Sequence, residues 1–126
     1  MALESIRRFR LDTLDEWAEL WSADCRLDSP EGWPEQGPFV GIEPVKAQFR
    51  RILLAWSEFP IEDVEVLADP GDWVVVRCRV PARGLSSGLE TQLFLAVAYR
   101  IEDGLLKDCA VCWHPDEALA AAGLSV

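Results

Sequence analysis

Positive charge is scarce in this sequence: 12 Lys and Arg stand against 22 Asp and Glu, a formal net charge of −10 over 126 residues. A field of that sign repels phosphate backbones and anionic lipid surfaces, so nucleic acid and membranes are not expected partners. Histidine occurs once, as His114. Long apolar runs are missing as well. No stretch reaches the roughly 18 residues of a membrane span, and the opening Met1-Ala2-Leu3-Glu4-Ser5-Ile6-Arg7-Arg8 lacks the apolar core of a secretory signal. The expectation is a cytoplasmic protein forming one domain over residues 1–126, long enough for a single core and too short for two.

Four cysteines, Cys25, Cys78, Cys109 and Cys112, are expected to stay reduced in such a compartment. Cys109-x-x-Cys112 has the spacing of a metal or redox pair. However, Leu105 to Trp113 reads as a strand, in which positions i and i+3 face opposite ways, so the two thiols are expected to be packing groups. No metal and no cofactor is expected.

Thr13-Leu14-Asp15-Glu16 has the spacing of a capping box, and Leu14, Trp17, Ala18 and Trp21 follow it at helical intervals. A shorter helical segment over Leu3, Ile6 and Phe9 precedes it. Cys25 to Asp28 reads as a brief strand, closed by Ser29 to Pro38, a stretch with three prolines and two glycines that marks a long surface loop. Gly41-Ile42-Glu43-Pro44 opens a second helix, with Val45, Phe49, Ile52, Leu53 and Trp56 on its apolar stripe and an end near Phe59-Pro60. Strands follow over Ile61 to Leu67, Trp73 to Val80, Leu89 to Ile101 and Leu105 to Trp113. The turns between them fall at Asp69 to Asp72, Arg83 to Gly88 and Glu102 to Gly104. A short helix over Ala118 to Ala122 ends at Gly123. The fold class is α+β, with helices first and then a curled antiparallel sheet.

This element order is similar to that of the cone-shaped nuclear-transport-factor-two-like superfamily. Three motifs narrow the resemblance. Ser29-Pro30-Glu31-Gly32-Trp33-Pro34-Glu35 with Gly37-Pro38-Phe39-Val40-Gly41 resembles the loop of bacterial SnoaL-like proteins. Arg83 to Gly88 resembles their middle hairpin, and Asp116 to Leu124 their ending. The resemblance runs from about Thr13 to Leu124 and implies a cone-shaped curved antiparallel sheet wrapped around N-terminal helices. It does not fix an activity, because the group includes isomerases, dehydratases, epoxide hydrolases, polyketide cyclases and ligand-binding proteins.

Inspected residue by residue, the catalytic groups of those relatives are absent. Ketosteroid isomerase chemistry needs an aspartate base and an oxyanion hole, and the matching positions hold Ser29, Val97 and, in the poorly matched start, Ser5. Scytalone dehydratase-like chemistry needs two histidines. The Asp-Arg-Asp group of limonene epoxide hydrolase has an Arg-x-Asp on one strand, and Arg26-x-Asp28 has that spacing on the wrong strand. His114 and Asp28 remain as the catalytic candidates. A turn cap is the simpler role for His114, and a solvated carboxylate the simpler role for Asp28. Arg77 and Arg79 share a strand face and read as ion-pair partners or an anion site.

Six tryptophans in 126 residues are an excess, and their positions converge. An apolar pocket is expected, lined by Trp17, Trp21, Leu27, Ser29, Trp33, Trp56, Leu95, Val97, Cys109, Val111 and Trp113, and suited to a small apolar or aromatic molecule. The other sheet face carries Phe94, Ala96, Ala98 and Ala110 with Gln92 and Arg100 nearby, a composition that predicts a homodimer through the outer face. Three readings stay open: a ligand-binding protein, an enzyme acting on a polyketide-like or terpenoid substrate, and a structural dimer with a filled cavity.

Overall fold

The computed structural model describes residues 14–31, 33, 37–58, 61–69, 71–84 and 90–124. The early helical segment, Thr13 and the 85–89 part of the middle hairpin lie outside them. Among the described residues there are three helices, α1 (Leu14–Ala18), α2 (Ile42–Ala55) and α3 (Pro115–Ala121). Seven strands accompany them: β1 (Trp21–Asp28), β2 (Phe39–Val40), β3 (Trp56–Glu58), β4 (Glu62–Ala68), β5 (Trp73–Gly84), β6 (Glu90–Glu102) and β7 (Leu105–Cys112). They form one curved, open sheet in the order β2-β1-β7-β6-β5-β3, with β4 also paired to β5. No helix of the described residues is long and apolar enough to cross a membrane.

The expected α+β architecture is present, with three local differences. α1 stops at Ala18, and Trp21 opens β1 instead of extending the helical stripe. α2 stops at Ala55, so Trp56 begins β3 and pairs with Gly84 of β5. In both places helical spacing carries past the true end because a tryptophan suits a strand as readily as a helix. The third difference is that β1 runs parallel to β7, with Leu27 opposite Cys109, while the other pairings are antiparallel.

Register decides which side chains enter the core. Val76 faces Val97, Cys78 faces Leu95 and Val80 faces Leu93 across β5 and β6, and Val97 faces Val111 and Tyr99 faces Cys109 across β6 and β7. These positions share one face, since side chains alternate along a strand. Leu14 and Trp17 of α1 and Val45 and Phe49 of α2 pack on that face to form the main core. α2 is held at its start by Gly41, whose φ of +96° suits glycine. The Gly41 N–H donates to Cys25 O at 2.7 Å and so ties the helix entry to β1.

The opposite face is covered differently. α3 lies over it, with Ala118 buried against Val75, Ala96 and Ala98. His114 is the N-cap of α3, and its backbone N–H donates to Glu117 Oε1 at 3.1 Å. Gly123, at φ +79°, ends the helix while the Leu124 N–H returns to Leu119 O at 2.9 Å. Asp103 and Gly104, both at positive φ, make the tight turn that joins β6 to β7.

Candidate functional site

The concave face and its two helices do not fill the space between them. A cavity remains that offers about 70 Å³ to the centres of water-sized molecules. Its walls come from α1 and β1 (Trp17, Trp21), α2 (Phe49, Ile52), β5 (Cys78, Val80), β6 (Leu95, Val97, Tyr99) and β7 (Cys109, Val111), completed by Ile61 and by Trp33 from the loop after β1. One end is an aromatic cluster. The Trp17 ring lies 5.2 Å from that of Trp21 and 5.0 Å from that of Phe49, and Trp21 meets Tyr99 at 6.4 Å and 62°. Tilted and edge-on contacts of this kind fix ring positions beyond what area burial alone would do.

At the other end Trp33 packs against Trp113, with centroids 5.6 Å apart. The Trp113 Nε1–H donates to Glu31 O at 2.7 Å. Trp113 therefore holds the loop from behind and is not itself a wall of the cavity.

Seven of the eleven expected ligand-binding residues meet at the cavity: Trp17, Trp21, Trp33, Leu95, Val97, Cys109 and Val111. Leu27 is buried in the core beside them, 2% exposed, without reaching the opening. Ser29 is partly buried and also off the wall. The Trp56 side chain lies outside the described residues. Six wall residues were not anticipated: Phe49, Ile52, Ile61, Cys78, Val80 and Tyr99. Strand alternation carries the signal for three of them, since Cys78 and Val80 fall between Arg77, Arg79 and Pro81, and Tyr99 is two residues beyond Val97.

Neither catalytic candidate reaches the cavity. Asp28 pairs in register with Ala110 on the outer face, and Arg26 Nε holds its carboxylate at 3.0 Å. His114 is exposed at the start of α3. Arg77 and Arg79 point outward into ion pairs, Arg77 with Glu65 at 2.5 Å, and Arg79 with Asp63 at 2.7 Å and Glu62 at 2.8 Å.

Among the described residues the titratable groups in the cavity wall are two thiols and a phenol. Burial pushes the Cys78 thiol up to about 11 and lifts those of Cys109 and the Tyr99 hydroxyl well above their ordinary ranges. All three are neutral near pH 7, because a low-dielectric wall disfavours the charged form. Cys109 faces inward, and Cys112, three residues on, lies with the outer-face cluster. The described residues gather no group of three His, Cys, Asp or Glu that could hold a metal. One polar atom stands out: Trp21 Nε1 is sealed from solvent and has no hydrogen-bond partner.

A broader depression of about 390 Å³ lies on the outer face, bordered by Arg77, Arg79, Phe94, Trp113 and Pro115. Phe94 is 64% exposed there. Ala96 and Ala98, expected to share that open surface, are fully covered by α3.

Residues 3–109 match the sequence profile of the SnoaL-like domain. An NTF2-like protein of unknown function from Burkholderia pseudomallei is similar in structure, with a TM-score of 0.78, 19% identity, and 94% of this chain and 92% of that one covered. A protein from Xanthomonas campestris pv. campestris, provisionally named a polyketide cyclase, is similar at a TM-score of 0.75 and 15% identity, covering 92% and 89%. Bal32a, from a soil-derived mobile gene cassette, is similar at 0.77 and 18% identity, covering 87% and 83%. No protein of curated function matches the chain.

Proposed function

Because the chain belongs to the SnoaL-like domain family, an assignment that fixes a fold and leaves activity open, we propose that it binds a small apolar or aromatic molecule in the cavity of the concave face, acting in the cytoplasm. The observation that carries this reading is a cavity left open by side chains that are, among the described residues, aromatic, aliphatic or thiol groups with no ionised side chain. The free volume is about half of the ~150 Å³ of an apolar cavity that takes up benzene. A ring-sized ligand therefore enters with a turn of the Trp33 indole at the mouth.

The reading as a cyclase, isomerase or hydrolase draws on the fold shared with proteins provisionally named polyketide cyclases. It loses its base, since Asp28 and His114 both stand outside the walls. A purely structural role predicts a filled interior, which the open volume argues against.

The test is saturable binding of naphthalene followed by tryptophan fluorescence, with Val111→Phe as the blocked control. One molecule per chain is expected, lost in the variant. Absence of saturable binding, together with native mass spectra that carry no apolar adduct, would sink the proposal.

A second copy of the chain is the proposed partner, seated on the outer face around Phe94. Arg77, Arg79, Asp63 and Glu65 surround that ring with both signs of charge, which suits a self-complementary two-fold contact. A solution mass near the 14.1 kDa of one chain would defeat it.

A further inference from the structure

We propose that Trp21 and Tyr99 form a hydrogen-bonding subsite that receives an uncharged carbonyl oxygen of an otherwise apolar, ring-containing ligand. This deepens the binding reading above and rests on it.

Among the described residues two polar groups stand in a wall that is otherwise hydrocarbon and sulfur. Trp21 is 4% exposed, its Nε1–H has no acceptor, and the residue lines the cavity. Buried N–H groups in folded proteins are almost always paired, so an orphan beside an open volume marks the place where a ligand atom completes the structure. Tyr99 lines the same cavity, 7% exposed, next to Trp21 in an edge-on contact. Among the described residues no hydrogen bond to its hydroxyl is found. Both groups stand at the end of the cavity away from Trp33. Trp33 packs with Leu95, and Tyr99 lies four residues along β6 from Leu95, about 13 Å at strand rise.

The chemistry of the pair selects the ligand group. An indole N–H only donates, and a phenol kept neutral by burial donates as well. Two donors carried on neighbouring rings, 6.4 Å between centroids, match an oxygen with two lone pairs. Among the described residues the wall holds no cation to neutralise a carboxylate or phosphate and no carboxylate to neutralise an amine, so a charged group would find no counter-charge among them. A carbonyl oxygen meets both requirements. A modest turn of the indole into the free volume beside it brings the Trp21 donor to that oxygen.

The experiment uses two probes of nearly equal shape, acetophenone and α-methylstyrene, which differ by C=O against C=CH2. Dissociation constants are measured by calorimetry on the full chain, on Trp21→Phe and on Tyr99→Phe. Each variant is expected to weaken acetophenone about five- to tenfold, the range of one net hydrogen bond, and to leave α-methylstyrene within about twofold. In the unaltered protein the Trp21 indole N–H proton resonance should move downfield with acetophenone and not with α-methylstyrene, a readout that does not depend on a variant folding. Equal losses for both probes, or an indole resonance that ignores the carbonyl, would overturn the subsite while leaving the cavity as a binding site. If neither probe binds the unaltered protein, the subsite falls together with the reading on which it rests.

Discussion

Along β6 the odd-numbered side chains from Leu93 to Tyr99 enter the concave core, while the even-numbered ones from Gln92 to Arg100 face outward. The two sides of this one strand are stabilised by different physics. Inside, large apolar groups from six elements meet around an imperfectly filled space. Outside, Ala96 and Ala98 are small because α3 lies directly on them, and the residues beyond the helix are charged. Arg100 bridges Asp108 at 2.5 Å and Glu102 at 2.8 Å, and Arg77 and Arg79 reach across to β4. The inner face is therefore sensitive to lost volume, the helix-covered patch to added volume, and the charged belt to little.

That ranking can be broken by three substitutions read through urea unfolding midpoints. Leu27→Ala removes a side chain buried in the core but off the cavity wall, and a loss of about 2–5 kcal/mol is expected; a loss below about 1 kcal/mol would mean the concave side relaxes freely. Ala98→Leu forces bulk beneath α3, where Ala98 is fully buried, and should cost about 1–3 kcal/mol. An unchanged midpoint there would show that α3 lifts away at no cost. Arg77→Ala breaks an ion pair between half-exposed partners and should cost about 0.2–1 kcal/mol, shrinking further in high salt. A larger, salt-insensitive loss would place the outer belt on the same footing as the core.

The strand meander was legible because turn residues punctuate it: Asp103-Gly104 and Gly71-Asp72 stand where the chain reverses. The ends of α1 and α2 were not legible. Trp21 and Trp56 continue a helical spacing while beginning strands, and only tertiary pairing decides between the two. Of the cavity, the walls on β6 and β7 were readable from alternation, and Trp17 from its helical stripe. Tyr99 lies outside the positions that carry catalytic groups in relatives, and only the register of β6 puts it beside Val97 on the same face. Ala96, Ala98 and Ala110 mark a small, apolar patch on the outer face, but nothing in β6 or β7 alone says that the cover is the chain's own last helix. That contact joins residues about twenty apart in sequence and depends on how the chain turns after Cys112.

The four reduced thiols have a practical consequence. With Cys25, Cys78 and Cys112 pushed up to about 11 and Cys109 lifted further by complete burial, roughly one thiol in a thousand is ionised at pH 8, and only the thiolate attacks. Folded molecules should be nearly inert to alkylating reagents and to peroxide. Each excursion that opens the sheet restores ordinary reactivity at several sites at once. The cysteines thus act as a built-in recorder of opening events, distributed over β1, β5 and β7, and the order in which they are labelled would reveal which strand parts from the sheet first.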